Sequence, residues 1–174
     1  MFGELSLHFD TIVVLGFILA FALNVSFALL KVIKNYSLLI TSGSMALSYF
    51  LSNHFYEAIR VATSPYLVWL VYDLVTMGCI WSCHKLFTAK PTLAYFYVMF
   101  GLMANSFMFI AMHFDRKVVE NSEPWILWTI YSISINVFDL MMIAVLILNR
   151  DIFFIKFACK KLRGLLSKPF TYES

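Results

Sequence analysis

Four long apolar runs constrain this chain more than any other feature. They cover residues 11–33, 65–87, 91–113 and 124–149. Each run exceeds the roughly 20 residues that a helix needs to cross the hydrocarbon core of a membrane. Three of the runs begin at a proline, which the first turn of a helix tolerates because the backbone N–H there has no helical partner. The runs therefore predict an all-α, polytopic transmembrane helical bundle.

The composition excludes two broad classes of protein. Of the 174 residues, 61% are hydrophobic and 13% are charged, whereas soluble domains average about 45–50% apolar and about 25% charged residues. A water-soluble fold of this size has too much surface for its volume to hide so many apolar side chains. The net charge of +3 is small, so we do not predict nucleic acid as a partner. The predicted partner is the lipid bilayer.

A fifth stretch, residues 37–58, is less apolar than the others and contains several serines. Lys and Arg concentrate in cytoplasmic loops of membrane proteins. Five spans place 10 of the 13 Lys and Arg residues on one side, whereas four spans place 8 there. Glu4 and Asp10 replace the basic start of a signal peptide. The charges therefore favour a multi-pass protein of the plasma (inner) membrane with five spans, its N-terminus outside and its C-terminus cytoplasmic.

A weak internal duplication supports the fifth span. The segment Gly43–Tyr49 resembles Gly101–Phe107, and Val71–Leu74 resembles Val137–Leu140. Parallel repeats occur in membrane proteins, and here they predict one leading helix followed by two helical hairpins. Chance similarity between apolar helices is the alternative interpretation.

Asp73 and Asp139 are the most informative side chains. Asp73 lies 12 residues before Lys85, and Asp139 lies 11 residues before Arg150, which places both roughly 17 Å from the basic end of their helices. An ionised carboxylate at mid-membrane depth costs about 2.5–3.5 kcal/mol. We therefore expect these groups either to be protonated or to border a water-filled cavity, as in a proton or ion path. The alternative is a neutral Asp that hydrogen-bonds between helices and holds the bundle together.

Polar and small residues recur on single faces of several predicted helices. Packing between helices is one interpretation of these stripes, and a narrow aqueous path is the other. Stripes on so many helices of a small bundle favour a homo-oligomer. The stripes are Gly16, Ala20 and Asn24; Thr41, Ser44, Ser48 and Ser52; Gly101 and Asn105; and Ser132, Asn136 and Asp139. The candidates for an ion or proton path are Asp73, Asp139, Asn136, Asn105 and Ser132.

His54 and His113 are predicted to lie at the outer interface, at the ends of the second and fourth spans. Such a pair can ligate haem, but no other feature supports a haem site, so no cofactor and no metal are predicted. The sequence contains no nucleophile motif, metal-ligand spacing or phosphate-binding loop. We therefore predict that the protein is not an enzyme and has no catalytic residues.

The C-terminal segment differs from the rest of the chain. Residues 1–150 form the predicted transmembrane domain, and residues 151–174 form a basic amphipathic cytoplasmic tail. Such a tail favours an interfacial helix that binds anionic lipid, and its apolar face suits a cytosolic protein partner as the alternative. The residues predicted to contact the membrane surface or the partner are Lys156, Lys160, Lys161 and Arg163.

Two functions fit these features. The first is an oligomeric channel or a proton- or ion-handling subunit that uses the mid-membrane carboxyl groups. The second is a non-conducting membrane anchor or sensor that recruits a cytosolic effector, as in bacterial anti-phage defence complexes. The second hypothesis rests on analogy, because fold does not imply function.

Overall fold

A computed structural model describes residues 2–31, 36–60 and 64–149, and these residues form five helices. A π-helical turn at Phe114–Val118 continues α4, and the described segments contain no strand. The predicted all-α fold is confirmed. The helices are α1 (Phe2–Leu29), α2 (Ser37–Arg60), α3 (Pro65–Leu86), α4 (Leu93–His113) and α5 (Ile126–Leu148).

Four of the helices are long and apolar enough to cross a membrane. These spans are Thr11–Leu29, Pro65–Leu86, Leu93–Val118 and Ile126–Leu148, so the four predicted apolar runs are confirmed with small shifts at their ends. Large apolar side chains such as Leu19, Phe107 and Ile133 are exposed along these helices. A bundle in lipid needs no polar outer surface, and this surface fits a multi-pass membrane protein.

Helix α2 has 24 residues but is less apolar than the other four. It packs against α1 and α3 and also touches α4 and α5. Several of its polar residues face these neighbours: Ser37 and Thr41 are fully buried, and Ser48 hydrogen-bonds with Thr76 of α3. Inward-facing hydroxyls explain why hydropathy alone leaves this helix undecided. That α2 crosses the membrane stays a prediction.

Small residues bring α5 close to α1 and α4. A methyl group on Gly16 of α1 would lie 2.7 Å from Ile143 Cδ1, and one on Gly101 of α4 would lie 2.6 Å from the Met142 sulfur. Further along α1, Asn24 donates from Nδ2 to the Leu146 carbonyl at 3.1 Å. The α1 stripe that contains Gly16 and Asn24 and the α4 stripe that contains Gly101 therefore take part in packing between helices, as the first interpretation of these stripes predicts. The core around these contacts includes Phe17, Ala20, Met45, Ile80, Tyr97, Leu102, Val145 and Leu146.

The ends of α3 show how the chain turns between spans. Pro65 occupies the first turn, after Ser64 in an extended conformation. At the other end Thr88 adopts a left-handed conformation (φ 46°), and the Ala89 N–H donates to the His84 carbonyl at 3.1 Å. This arrangement satisfies a carbonyl that the helix end would leave without a partner. It also turns the chain directly into α4.

Candidate functional site

The side chain of Asp139 lies at a junction of three helices. Its exposed fraction is 5%. Its Oδ1 atom accepts a hydrogen bond from the Tyr49 hydroxyl of α2 at 2.6 Å and from Asn105 Nδ2 of α4 at 2.9 Å. Bonds to a carboxylate are shorter and stronger than those between neutral groups. Asp139 therefore links α2, α4 and α5 through polar contacts inside the bundle.

This junction lies in the middle of the helices. Tyr49 is 12 residues after the start of α2 at Ser37, and Asn105 is 12 residues after the start of α4 at Leu93. At 1.5 Å per residue, both lie about 18 Å from those helix starts. A hydrocarbon core about 30 Å thick therefore places the junction near its midplane.

Asp73 brings a second carboxyl group to the same region from α3. Its exposed fraction is 7%, and it is close enough to Asp139 and Tyr49 to interact with both electrostatically. Its Oδ2 atom has no hydrogen-bond partner among the described residues, and neither does Asn105 Oδ1. Asn105 Oδ1 is an acceptor, and so is Asp73 Oδ2 when its carboxyl group is ionised, so neither atom supplies a donor to the other. A proton on Asp73 would supply one.

We name Asp73, Asp139, Tyr49 and Asn105 the carboxyl cluster. The structure brings three of the predicted path residues into it, namely Asp73, Asp139 and Asn105. Sequence reasoning missed Tyr49. The internal repeat aligns Tyr49 with Phe107 and so groups it with apolar side chains. Its position next to Ser48 of the α2 stripe is the one sequence feature that could have indicated a polar role.

Ser132 and Asn136 lie apart from the carboxyl cluster. Ser132 is exposed, and Asn136 donates from Nδ2 to the Ser132 carbonyl of the same helix at 2.8 Å. Neighbouring helices bury the face of α5 that carries these residues at Asp139 but leave it exposed at Ser132. Periodicity thus identifies the face of α5 correctly, but the neighbouring helices cover only part of it.

His54 and His113 have different surroundings. The His54 ring is exposed and stacks on Phe50, with ring centres 5.5 Å apart. The His113 Nδ1 atom lies 3.2 Å from the Ser64 hydroxyl at the start of α3. No contact joins the two histidines in the described part of the chain, and no group of three or more His, Cys, Asp or Glu side chains there could hold a metal ion.

A second polar cluster, which sequence reasoning missed, organises the connection between α4 and α5. Asp115 in the π-helical turn accepts hydrogen bonds from Trp125 Nε1 at 3.1 Å and from Trp128 Nε1 at 2.8 Å. Asn121 Nδ2 donates to the same carboxyl group at 3.2 Å. The Arg116 guanidinium lies 4.6 Å from the centre of a Trp128 ring. This carboxylate therefore holds the loop against the start of α5.

Replacing Asp115 with alanine should lower the midpoint of thermal unfolding, because two indole donors and one amide donor lose their shared acceptor. Thermal unfolding in detergent, followed by tryptophan fluorescence, measures the change. Glu123→Ala is the matched control, since Glu123 is an exposed carboxylate of the same loop. Equal stability of the two variants would contradict the proposed role of Asp115.

The predicted tail residues Lys156, Lys160, Lys161 and Arg163 lie outside the described residues, as does the predicted boundary between the two domains. Comparisons of the chain with protein-family models, with curated proteins and with solved structures found no match.

Proposed function

We propose that this protein is a proton-handling subunit of a membrane, with its proton carried by the carboxyl cluster. The observation that carries the proposal is the burial of two interacting carboxyl groups, Asp73 and Asp139, near the middle of their helices. Each of the 13 Lys and Arg residues lies at a helix end or beyond it in the sequence. Two negative charges in this apolar setting are costly, so a shared proton stabilises the pair.

Hydrogen bonding distinguishes the two carboxyl groups. Asp139 accepts bonds from Tyr49 and Asn105, which stabilise its ionised form. Asp73 Oδ2 has no donor in the described residues. In our proposal Asp139 is therefore the resident anion, and Asp73 takes up and releases the proton.

The assembly that we propose is a homo-oligomer in the plasma (inner) membrane, with the N-terminus outside and the C-terminus cytoplasmic. The exposed Ser132 and half-buried Asn136 support self-association, because a second copy would cover these polar groups within a membrane span. The distribution of Lys and Arg supports the orientation.

Proton flux into liposomes tests this function. The purified protein should carry protons down a pH gradient, and the double variant Asp73→Asn, Asp139→Asn should do so at least tenfold more slowly because neither amide exchanges a proton in this pH range. Glu123→Gln removes a carboxylate from the exposed loop and should not change the rate. A potassium gradient in place of the pH gradient distinguishes proton transport from a general ion channel.

Absence of flux in the wild-type protein would contradict the proposal and favour the non-conducting anchor or sensor. That second function is tested by removing residues 152–174. Loss of a co-purifying cytosolic protein on truncation would support it, and undiminished co-purification would contradict recruitment through the tail.

A further inference from the structure

A buried histidine joins three helices at one end of the bundle. His84, in the last turn of α3, is 7% exposed. Its Nε2 atom lies 2.8 Å from the Ser37 hydroxyl, at the first residue of α2. The same hydroxyl lies 3.1 Å from the hydroxyl of Thr92, the N-cap residue of α4, and accepts the Thr92 N–H at 3.1 Å. We call Ser37, His84 and Thr92 the histidine junction.

The contacts of His84 define its neutral tautomer. Its Nδ1 atom lies 2.8 Å from the Ile80 carbonyl, which can only accept, so Nδ1 carries a hydrogen. In the neutral ring Nε2 is then an acceptor, and the Ser37 hydroxyl donates to it. Ser37 in turn accepts from the Thr92 N–H and from the Thr92 hydroxyl. All four contacts are satisfied in this state.

The junction can also hold a protonated His84 without losing a contact. Nε2–H then donates to Ser37 Oγ, and the Ser37 hydroxyl reverses to donate to the Thr92 hydroxyl. The contact between Ser37 and Thr92 permits this reversal because either oxygen can be the donor. A histidine whose hydrogen bonds survive in both states is suited to pick up a proton and pass it on.

A line of hydroxyls on α2 runs from this junction towards the carboxyl cluster. Along α2 the residues Ser37, Thr41, Ser44 and Ser48 follow each other every three or four positions, about 4.5–6 Å apart along the axis, a gap that one water molecule can bridge. Ser37 and Thr41 are fully buried, and Ser48 hydrogen-bonds with Thr76. Tyr49, which follows Ser48, donates to Asp139. On α3 the residues His84, Thr76 and Asp73 share the buried face.

We infer that the histidine junction is the site where protons enter and leave the carboxyl cluster, and that His84 relays them along the α2 hydroxyls. This inference rests on the proposed function. A proton from water binds His84 Nε2, and the Ser37 hydroxyl turns from Nε2 to Thr92. Nε2 then gives its proton to Ser37 Oγ, while the Ser37 hydroxyl turns to the α2 line and gives its own hydrogen to the next acceptor there. The same exchange repeated along the line delivers a proton to the ionised Asp73 and leaves His84 neutral. In this way protons pass between the carboxyl cluster and the end of the bundle at which α3 ends.

The groups that surround His84 in the described part of the chain are neutral. Ser37 of α2 contacts the imidazole at Nε2, and the Tyr95 ring of α4 lies with its centre 4.5 Å from that of the imidazole. Thr92 of α4 contacts Ser37. None of these is an anion at neutral pH. Among the described residues, the basic ones at this end are Lys31, Lys85 and Lys90, and the Lys85 ammonium lies 4.1 Å from the centre of a Trp81 ring.

Infrared spectroscopy after a pH jump tests this inference on the full chain in lipid nanodiscs. The carboxylic acid C=O band that is absent from Asp73→Asn reports the protonation of Asp73. We expect His84→Gln to slow the rise of this band at least tenfold while its final amplitude stays that of the wild type, because a relay changes the rate and not the end point. His113→Gln, at the other end of the bundle and bonded to Ser64, should leave the rate unchanged.

Two further measurements keep the test independent of folding. Ser37→Ala removes the hydroxyl that links His84 to the α2 line and should also slow the band, and free imidazole should restore the rate in His84→Ala. A wild-type rate in both His84→Gln and Ser37→Ala would overturn the inference and leave the proposed function standing. A wild-type protein without a titrating carboxyl band would overturn both.

Discussion

Replacing Asp139 with alanine should lower the free energy of unfolding by about 2–4 kcal/mol, one of the two largest effects expected for this chain. The substitution removes the acceptor of the Tyr49 hydroxyl and of the Asn105 amide. Each buried donor left without a partner costs about 1–3 kcal/mol. The bundle also gains a void at a junction of three helices, where collapse requires several helices to move.

Asp139→Asn is the matched variant, because its side-chain oxygen can still accept from Tyr49 and Asn105. We expect this variant to lose less than half as much stability as Asp139→Ala. Thermal or denaturant unfolding in a mild detergent measures both. Equal stability of wild type and Asp139→Ala would show that the carboxyl cluster does not hold α2, α4 and α5 together.

Replacing Gly101 with leucine should be comparably disruptive, with a loss of about 2–3 kcal/mol from overpacking. Even a methyl group at this position would lie 2.6 Å from the sulfur of Met142. Met142 is fully buried and belongs to the core, so it has little room to move. We therefore expect the leucine to push α4 and α5 apart and to displace Asn105, one turn further along α4.

Gly78→Leu is the control for Gly101→Leu, because Gly78 also lies inside a helix but a methyl group added there would meet no atom within 4 Å among the described residues. Removing a glycine from a helix favours the helix by up to about 1 kcal/mol, so Gly78→Leu should be neutral or stabilising. Similar destabilisation of the two variants would contradict the close approach of α4 and α5 at Gly101.

The apolar runs predict α1, α3, α4 and α5 because lipid imposes length and hydropathy on each helix separately. Helix α2 is harder to predict because its serines and threonines are satisfied locally or by neighbours, as when Thr41 donates to the Ser37 carbonyl. A bundle accommodates such a helix when its polar face packs against neighbouring helices, while apolar residues such as Leu47 and Phe50 are exposed. The sequence of α2 alone does not show which neighbours cover that face.

The sequence predicts how deep in the membrane the candidate site residues lie, but it does not predict which residues they contact. Counting residues from the helix ends places Asp73 and Asp139 at one level, and in the structure both are buried and close enough to interact electrostatically. Whether the Ser132 face is covered depends on the arrangement of the helices, which periodicity does not encode. The partners of Asp115 follow it by 10 and 13 residues, and only the folded loop between α4 and α5 brings these residues into contact.

We propose that Asp73 carries a proton at the middle of the membrane, and the proton flux of Asp73→Asn in liposomes tests this most directly. Asparagine has nearly the shape of a protonated aspartate and adds a donor where Asp73 Oδ2 has none in the described residues. We therefore predict a variant as stable as the wild type, within about 1 kcal/mol, that carries protons at least tenfold more slowly. A folded Asp73→Asn protein with wild-type proton flux would contradict the account.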